Sequence, residues 1–315
     1  MTRQLPLMQA PAPGQVRPLI PFEGELSATS SLNTAVAAFN GFMTRQGFSA
    51  NTVKAFNGDL AIFLNYVGAA KAIGEVSSNE ISEYLNFLRF KRGVPCNPKS
   101  YQRRLTTLKV FFGFLHESKV IPRDPAAPIP HIPVVSPLPE VLNKNDIEKL
   151  LTTARSLRDA AKSDARPYLI ITLVLTTGIK KSECMAIRLK DIDLSDSERP
   201  ALWVRYEDPR RRHKERKLKL PLDIAKTLAR YREQYQVEEK LFECTARNLE
   251  YVLTDTARLA GLGDTVSFES LRWSSAVRDL EGGMREETLR QKLGLSSITW
   301  QETGEKIKRL AAAPL

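Results

Sequence analysis

Apolar residues recur along this chain mostly at helical spacing. Val53, Phe56, Leu60, Phe63, Leu64 and Val67 fall on one face of a helix, with Ser49 or Asn51 placed to cap its start. Tyr101, Leu105, Leu108, Phe112 and Leu115 form a second stripe, at steps of +4, +3, +4 and +3, that opens near Asn97 and Pro98. With a short helix over 79–90 and another ahead of Ser49, residues 31–117 read as four helices. Helical patterning resumes over 146–154 behind a capping Asn143, then over 168–176, 181–187, 223–235, 245–259, 271–280, 286–293 and 302–310. Only 201–206 and 216–220 read as strands, with a basic hairpin between them. The expected fold class is mainly α with a small antiparallel sheet (α+β).

Proline divides the pattern. Pro6, Pro11, Pro13, Pro18 and Pro21 mark residues 1–30 as a flexible or extended leader. Between Val120 and Leu142 lie seven prolines, at 122, 125, 128, 130, 133, 137 and 139, a density that neither a helix nor a central strand accepts. The expected organisation is therefore a leader (1–30), a helical domain (31–118), a semi-extended linker (119–142) and a second domain (143–315).

Composition narrows the function classes. The chain has 315 residues, 42% hydrophobic and 26% charged, which suits folded domains and excludes collagen-like, disulfide-rich and wholly disordered classes. The longest apolar run, near 168–175, is too short for a membrane span, and the start lacks the charged-then-apolar order of a signal peptide. Cys96, Cys184 and Cys244 are odd in number and widely spaced, which points to a reducing compartment, and His116, His131 and His213 lack metal-ligand spacing. No metal and no cofactor is expected.

Charge supplies the first functional sign. The net charge is +11, and dividing the chain after Leu142 leaves +5 and +6, so the excess belongs to both parts. That balance fits a basic soluble protein or two parts holding a polyanion. Lys91, Arg92, Lys99, Arg103 and Arg104 gather before and within the first turns of the second stripe, where cations oppose the helix dipole. They form either a solvated face or a phosphate-contacting one. Residues 210–219 hold seven cations (Arg210, Arg211, Arg212, Lys214, Arg216, Lys217 and Lys219) against Glu215 alone, again either a solvated turn or a DNA contact. Trp203 reads as a strand core residue, Cys184 and Cys244 as inert core thiols, and Phe111, Phe112 and Phe114 as packing residues.

Five segments in order resemble the tyrosine recombinases (phage integrases and their chromosomal relatives). Residues 49–63 (SANTVKAFNGDLAIF) resemble the second helix of that family's SAM-like core-binding domain. Residues 173–193 (LVLTTGIKKSECMAIRLKDID) resemble the segment with its first catalytic arginine, and 214–221 (KERKLKLP) the end of its lysine-bearing hairpin. Residues 269–280 (ESLRWSSAVRDL) and 293–297 (LGLSS) resemble its His-x-x-Arg and Leu-Gly-His segments. The resemblance implies a two-domain clamp on duplex DNA, a tyrosine nucleophile, two arginines that stabilise the phosphoryl transition state, and a lysine general acid.

Carried over position by position, the implied machinery is degenerate. The first arginine falls on Lys180, which keeps a charge but loses the planar fork. The hairpin lysine falls near Arg211, the first histidine on Glu269 and the Leu-Gly-His histidine on Leu295, while the second arginine is kept as Arg272. Trp273 follows it. The tyrosine falls on Gly304, and no tyrosine follows Tyr251. Thr303 beside the empty slot has no evident base. Glu269 is expected either to repel a phosphate or to neutralise Lys180 or Arg272. The expected function is a duplex-DNA-binding recombinase homologue, cytoplasmic and nucleoid-associated, that has lost strand cleavage and serves as an accessory or regulatory subunit. Homo- or hetero-oligomers are expected through Lys306–Leu310 and 311–315. The alternatives are an active recombinase with a rewired pocket, or a protein-interaction scaffold.

Overall fold

The computed structural model describes residues 26–131 and 137–313. The chain divides into two compact units between Ser136 and Pro137. The leader's first 25 residues, linker residues 132–136 and the last two residues lie outside the described residues.

The first unit is built from α1 (Leu32–Arg45), α2 (Ala50–Val67), α3 (Ser78–Asn86) and α4 (Pro98–Glu117). Each start is set by a short polar side chain. Ser31, Ser49, Ser77 and Asn97 accept a backbone N–H from the first turn, and Ser49, rather than Asn51, is the cap of α2. Phe39, Phe63, Tyr84, Phe111 and Phe112 fill the core. Residues 26–30 are no free leader here: the Ile73 and Gly74 N–H groups donate to Ser30 O and Ala28 O, and Leu26 packs on the core. The linker's opening is likewise tied down, because Val120, Ile121, Ala126 and Ile129 are buried in this core.

The second unit contains α5 (Lys144–Asp159), α6 (Arg166–Thr177), the single turn α7 (Lys181–Cys184), α8 (Ile224–Tyr235), α9 (Ala246–Leu259), α10 (Phe268–Glu281), α11 (Glu286–Lys292) and α12 (Ser297–Ala311). The helix α6 is apolar on every face, and it packs against α5, α8, α9 and α10. A three-stranded antiparallel sheet joins β1 (Ile192–Asp193), β2 (Ala201–Val204) and β3 (Arg216–Lys219) in that order. Leu202, Val204 and Leu218 turn inward, so strand alternation turns Trp203 outward. Trp203 is 36% exposed, which corrects the expectation of a core residue. The Arg205 and Lys217 cations lie 5.2 and 5.4 Å from its ring centre.

A smaller apolar cluster joins α10, α11 and α12 through Ala276, Val277, Leu289, Leu293, Ile307 and Leu310. Ile307 and Leu310 are thereby buried on their own chain, and Lys308 pairs with Glu286 at 2.9 Å. The apolar face of Lys306–Leu310 is therefore covered within its own chain, and residues 314–315 of the expected docking segment lie outside the described residues. Among the described residues, no helix is long and apolar enough to cross a membrane.

Candidate functional site

The site begins where α6 ends. Gly178 takes a left-handed φ of 62° and turns the chain sharply into Lys180. A Cβ at Gly178 would lie 2.8 Å from Leu293 Cδ2, so the close approach of these two segments also depends on glycine. Lys180 Nζ lies 3.4 Å from Gly294 O and 3.7 Å from Glu183 Oε1. Arg272, on α10, donates to Gly178 O and, at 2.8 Å, to Leu293 O. One arginine thus ties the end of α6 to the loop after α11.

Beneath them lies a buried ion pair that sequence reading did not single out. Arg216 of β3 donates to Glu183 Oε2 at 2.9 Å and to Lys292 O at 2.7 Å, and the Tyr206 hydroxyl donates to Glu183 Oε1. Burial pushes the Glu183 carboxyl up, but the Arg216 hydrogen bonds and charge and the Tyr206 hydroxyl outweigh it and hold it well below the usual carboxylate range. Burial pushes the Lys180 ammonium down to about 8: Glu183 opposes the shift, and Arg272, Arg216 and Lys214 add to it. Burial likewise lowers Arg272 to about 10, with Glu183 opposing and Arg216 reinforcing. The one sequence signal for the pair was the spacing of Glu183 three residues after Lys180, where its carboxylate receives the Lys180 N–H at 2.9 Å.

Lys180, Glu269, Arg272, Leu295, Trp273 and Thr303 line one cavity of about 650 Å³. Four of the six inferred catalytic positions therefore meet. Glu269 forms no ion pair with either cation among the described residues, although its charge acts on Arg272; its carboxylate accepts the Trp273 indole N–H at 3.3 Å, one turn along α10. Arg272 has no carboxylate partner among the described residues. Leu295 presents an apolar side chain where the resemblance implies a histidine donor. Gly304 is buried on α12 directly under Trp300. A Cβ at Gly304 would lie 2.8 Å from Trp300 Cε2 and 3.0 Å from Nε1, so the indole occupies the space in which a side chain from this position would begin.

Arg211 lies apart. It stacks over Tyr206 at 5.4 Å and lines a second cavity of about 880 Å³ with Arg212 and Glu215. The expected basic hairpin forms, with β2 and β3 paired antiparallel, and its connection is a 3₁₀ segment over Pro209–Lys214 with no buried residue. Of the seven cations in 210–219, Arg210 pairs with Asp208, Arg216 with Glu183 and Lys217 with Asp193. Arg211, Arg212, Lys214 and Lys219 have no carboxylate partner among the described residues.

In the first unit, Lys91 and Lys99 are exposed and Arg92 is half-buried. Arg103 and Arg104 face inward to Asp59. Arg103 Nη1 donates to Asp59 Oδ2 at 2.7 Å, and Arg104 Nε lies 3.4 Å from Asp59 Oδ1 while its Nη1 donates to Cys96 Sγ at 2.7 Å. Arg104 is only 9% exposed, so it leaves the set of candidate phosphate contacts: its charge is matched inside the fold.

Residues 140–302 match the Phage integrase family, and residues 28–119 match the phage integrase N-terminal SAM-like domain. The tyrosine recombinase XerD of Listeria monocytogenes serovar 1/2a is 30% identical over 169 residues, or 52% of this chain and 54% of that protein, so the match spans about half of that relative's length. XerC of Staphylococcus epidermidis is 27% identical over 263 residues, covering 79% of this chain and 84% of that one. Two solved structures share the fold. XerH bound to palindromic difH has a TM-score of 0.69 at 17% identity, over 93% of this chain and 96% of that one. A lambda integrase dimer bound to a COC′ core site has a TM-score of 0.69 at 16% identity, over 90% and 79%. With a family match over more than half its length, the chain belongs to the phage integrase family, the tyrosine recombinases.

Proposed function

We propose that this protein binds duplex DNA in site-specific recombination or integration without cutting a strand itself, and that it serves as an accessory or regulatory subunit. DNA binding is supported by the family, by the DNA-bound neighbours XerH and lambda integrase, and by cations in each unit without a carboxylate partner among the described residues: Lys91, Arg92 and Lys99 in one, Arg211, Arg212 and Lys214 in the other. Lys180 and Arg272, facing one cavity, suit a phosphate held in place. Acting on DNA places the protein in the cytoplasm with the nucleoid. Recombinase neighbours captured as dimers and tetramers on DNA support assembly with other recombinase subunits.

The observation that carries the loss of cleavage is Gly304 beneath Trp300. Phosphoryl transfer is mostly positioning and charge stabilisation, but a covalent route still needs an attacking oxygen. Glycine has none, and the indole fills the adjoining space. Replacing the first arginine with Lys180 also removes bidentate recognition of the phosphate.

A second reading, an active enzyme with a rewired pocket, rests on Thr303, whose side chain lines the same cavity as Lys180 and Arg272. Nicked duplexes of randomised sequence, incubated with the protein and resolved under denaturing conditions, separate the two. The expected result is DNA retention without a covalent adduct. An adduct abolished by Thr303→Ala establishes the second reading, and absence of any duplex binding leaves only an interaction scaffold.

A further inference from the structure

The first unit carries an aromatic side chain that its own core does not use. The helix α3 gives way at Asn86 to a π-helical turn, Phe87–Lys91, in which the Arg92 N–H donates to Phe87 O at 2.9 Å. The Cys96 N–H donates to Leu88 O at 2.9 Å and closes the loop 89–95 at its far side. Leu88 is fully buried, and the Phe87 ring packs 5.0 Å from Tyr66. Both feet of the loop are therefore anchored, while its tip is bare: Phe90 is 72% exposed and Val94 is 76% exposed. A pinned loop that holds two apolar side chains in water offers them to a partner.

The surroundings identify the chemistry of that partner. No Asp or Glu occurs from Tyr84 to His116. Arg89, Lys91, Arg92 and Lys99 have no carboxylate partner among the described residues, whereas Arg103 and Arg104 are matched by Asp59. The Arg89 guanidinium lies 4.9 Å from the Phe90 ring and 5.7 Å from the Tyr101 ring, which sets the loop beside the first turn of α4. That turn exposes the positive end of a 20-residue helix whose first turn holds no acidic residue. An apolar tip ringed by cations complements a groove walled by phosphates and floored by base pairs. It does not complement an acidic protein surface, which offers the tip nothing to enter.

We propose that Phe90 is a wedge that enters the minor groove of bound duplex DNA and unstacks a base step, with Arg89, Lys91, Arg92 and Lys99 on the flanking phosphates. The inference rests on the duplex-binding reading above and adds to it that the protein bends the DNA it holds.

Ligase-catalysed circularisation of a mixed-sequence duplex of about 120 bp, shorter than the DNA persistence length of about 150 bp, reads this bend directly. Binding of the full chain to the same duplex is measured in parallel. Wild-type protein is expected to raise the yield of circles above that of DNA alone. Phe90→Ala, compared at concentrations that saturate the duplex and with its thermal midpoint measured alongside, is expected to lose the gain, and Phe90→Trp to restore it. Lys91→Gln with Arg92→Gln is expected to flatten the slope of log K against log salt by about 2. Equal circularisation by Phe90→Ala, or wild-type binding with no gain in circles, overturns the wedge and leaves duplex binding standing. Failure to bind duplex at all, with or without binding to phosphatidylserine vesicles, overturns both.

Discussion

Lys180 shows how one side chain carries both a cost and a use. Burial beside Arg272 and Arg216 depresses its ammonium to about 8. A lysine depressed below its unfolded value of about 10.4 binds fewer protons folded than unfolded between those two pH values, so stability rises with pH across that window. A bound phosphate has the opposite effect, because it favours the charged form. Binding is therefore expected to take up a proton and to weaken as pH rises from 7 to 9. Lys180→Arg is expected to remove that dependence, and duplex titrations in buffers of different ionisation enthalpy check it. At Gly304, two forces of similar size compete. Alanine in a helix interior is favoured over glycine by about 1 kcal/mol, whereas forcing a Cβ against the Trp300 indole costs about 1–3 kcal/mol. Gly304→Ala is expected to destabilise by about 1 kcal/mol in the native chain but to stabilise in a Trp300→Ala background. Urea unfolding of the four proteins in that cycle supplies the check.

The elements that sequence patterning located are those whose periodicity runs over several turns. The stripe ending at Leu115 became α4, and the capping side chains Ser49 and Asn143 sit at their helix starts. Short elements were less legible. A four-residue strand offers only two positions per face, too few for the sequence to show which face Trp203 takes. The start of α12 carries little periodic signal because Ser296–Thr299 is mostly polar; its cap is the Ser296 hydroxyl, which accepts the Thr299 N–H. Charge is legible as a total but not as a location: Arg104 and Arg216 find their carboxylates 45 and 33 residues away, at Asp59 and Glu183, and no local pattern encodes that. Asp59 joins α2 to α4 through Arg103, Arg104 and the Thr107 hydroxyl. Asp59→Ala is expected to cost about 3 kcal/mol, the low end for a broken buried pair because Arg103 can reach solvent while Arg104 cannot. Thermal unfolding of the first unit's signal measures it. On the β2–β3 connection, Arg211, Arg212 and Lys214 changed together to Gln are expected to flatten the salt slope of duplex binding by about 3, uniformly across sequences.

At the scale of the whole molecule, two units that each bury a core keep the phage integrase fold, and of the six positions that the resemblance implies only Arg272 retains its residue type. The packing around Gly178, Arg272, Arg216 and Glu183 explains how the scaffold persists: these groups tie α6, β3 and the loop after α11 together, whatever occupies the nucleophile position. The central claim is that DNA holding has outlived strand cleavage. Its most direct test is filter retention of one labelled pool of nicked duplexes by the full chain, counted before and after a wash in hot detergent. Retention before the wash and none after it is the expected result. Radioactivity that survives the detergent, bound through a phosphodiester to any hydroxyl of the chain, contradicts it.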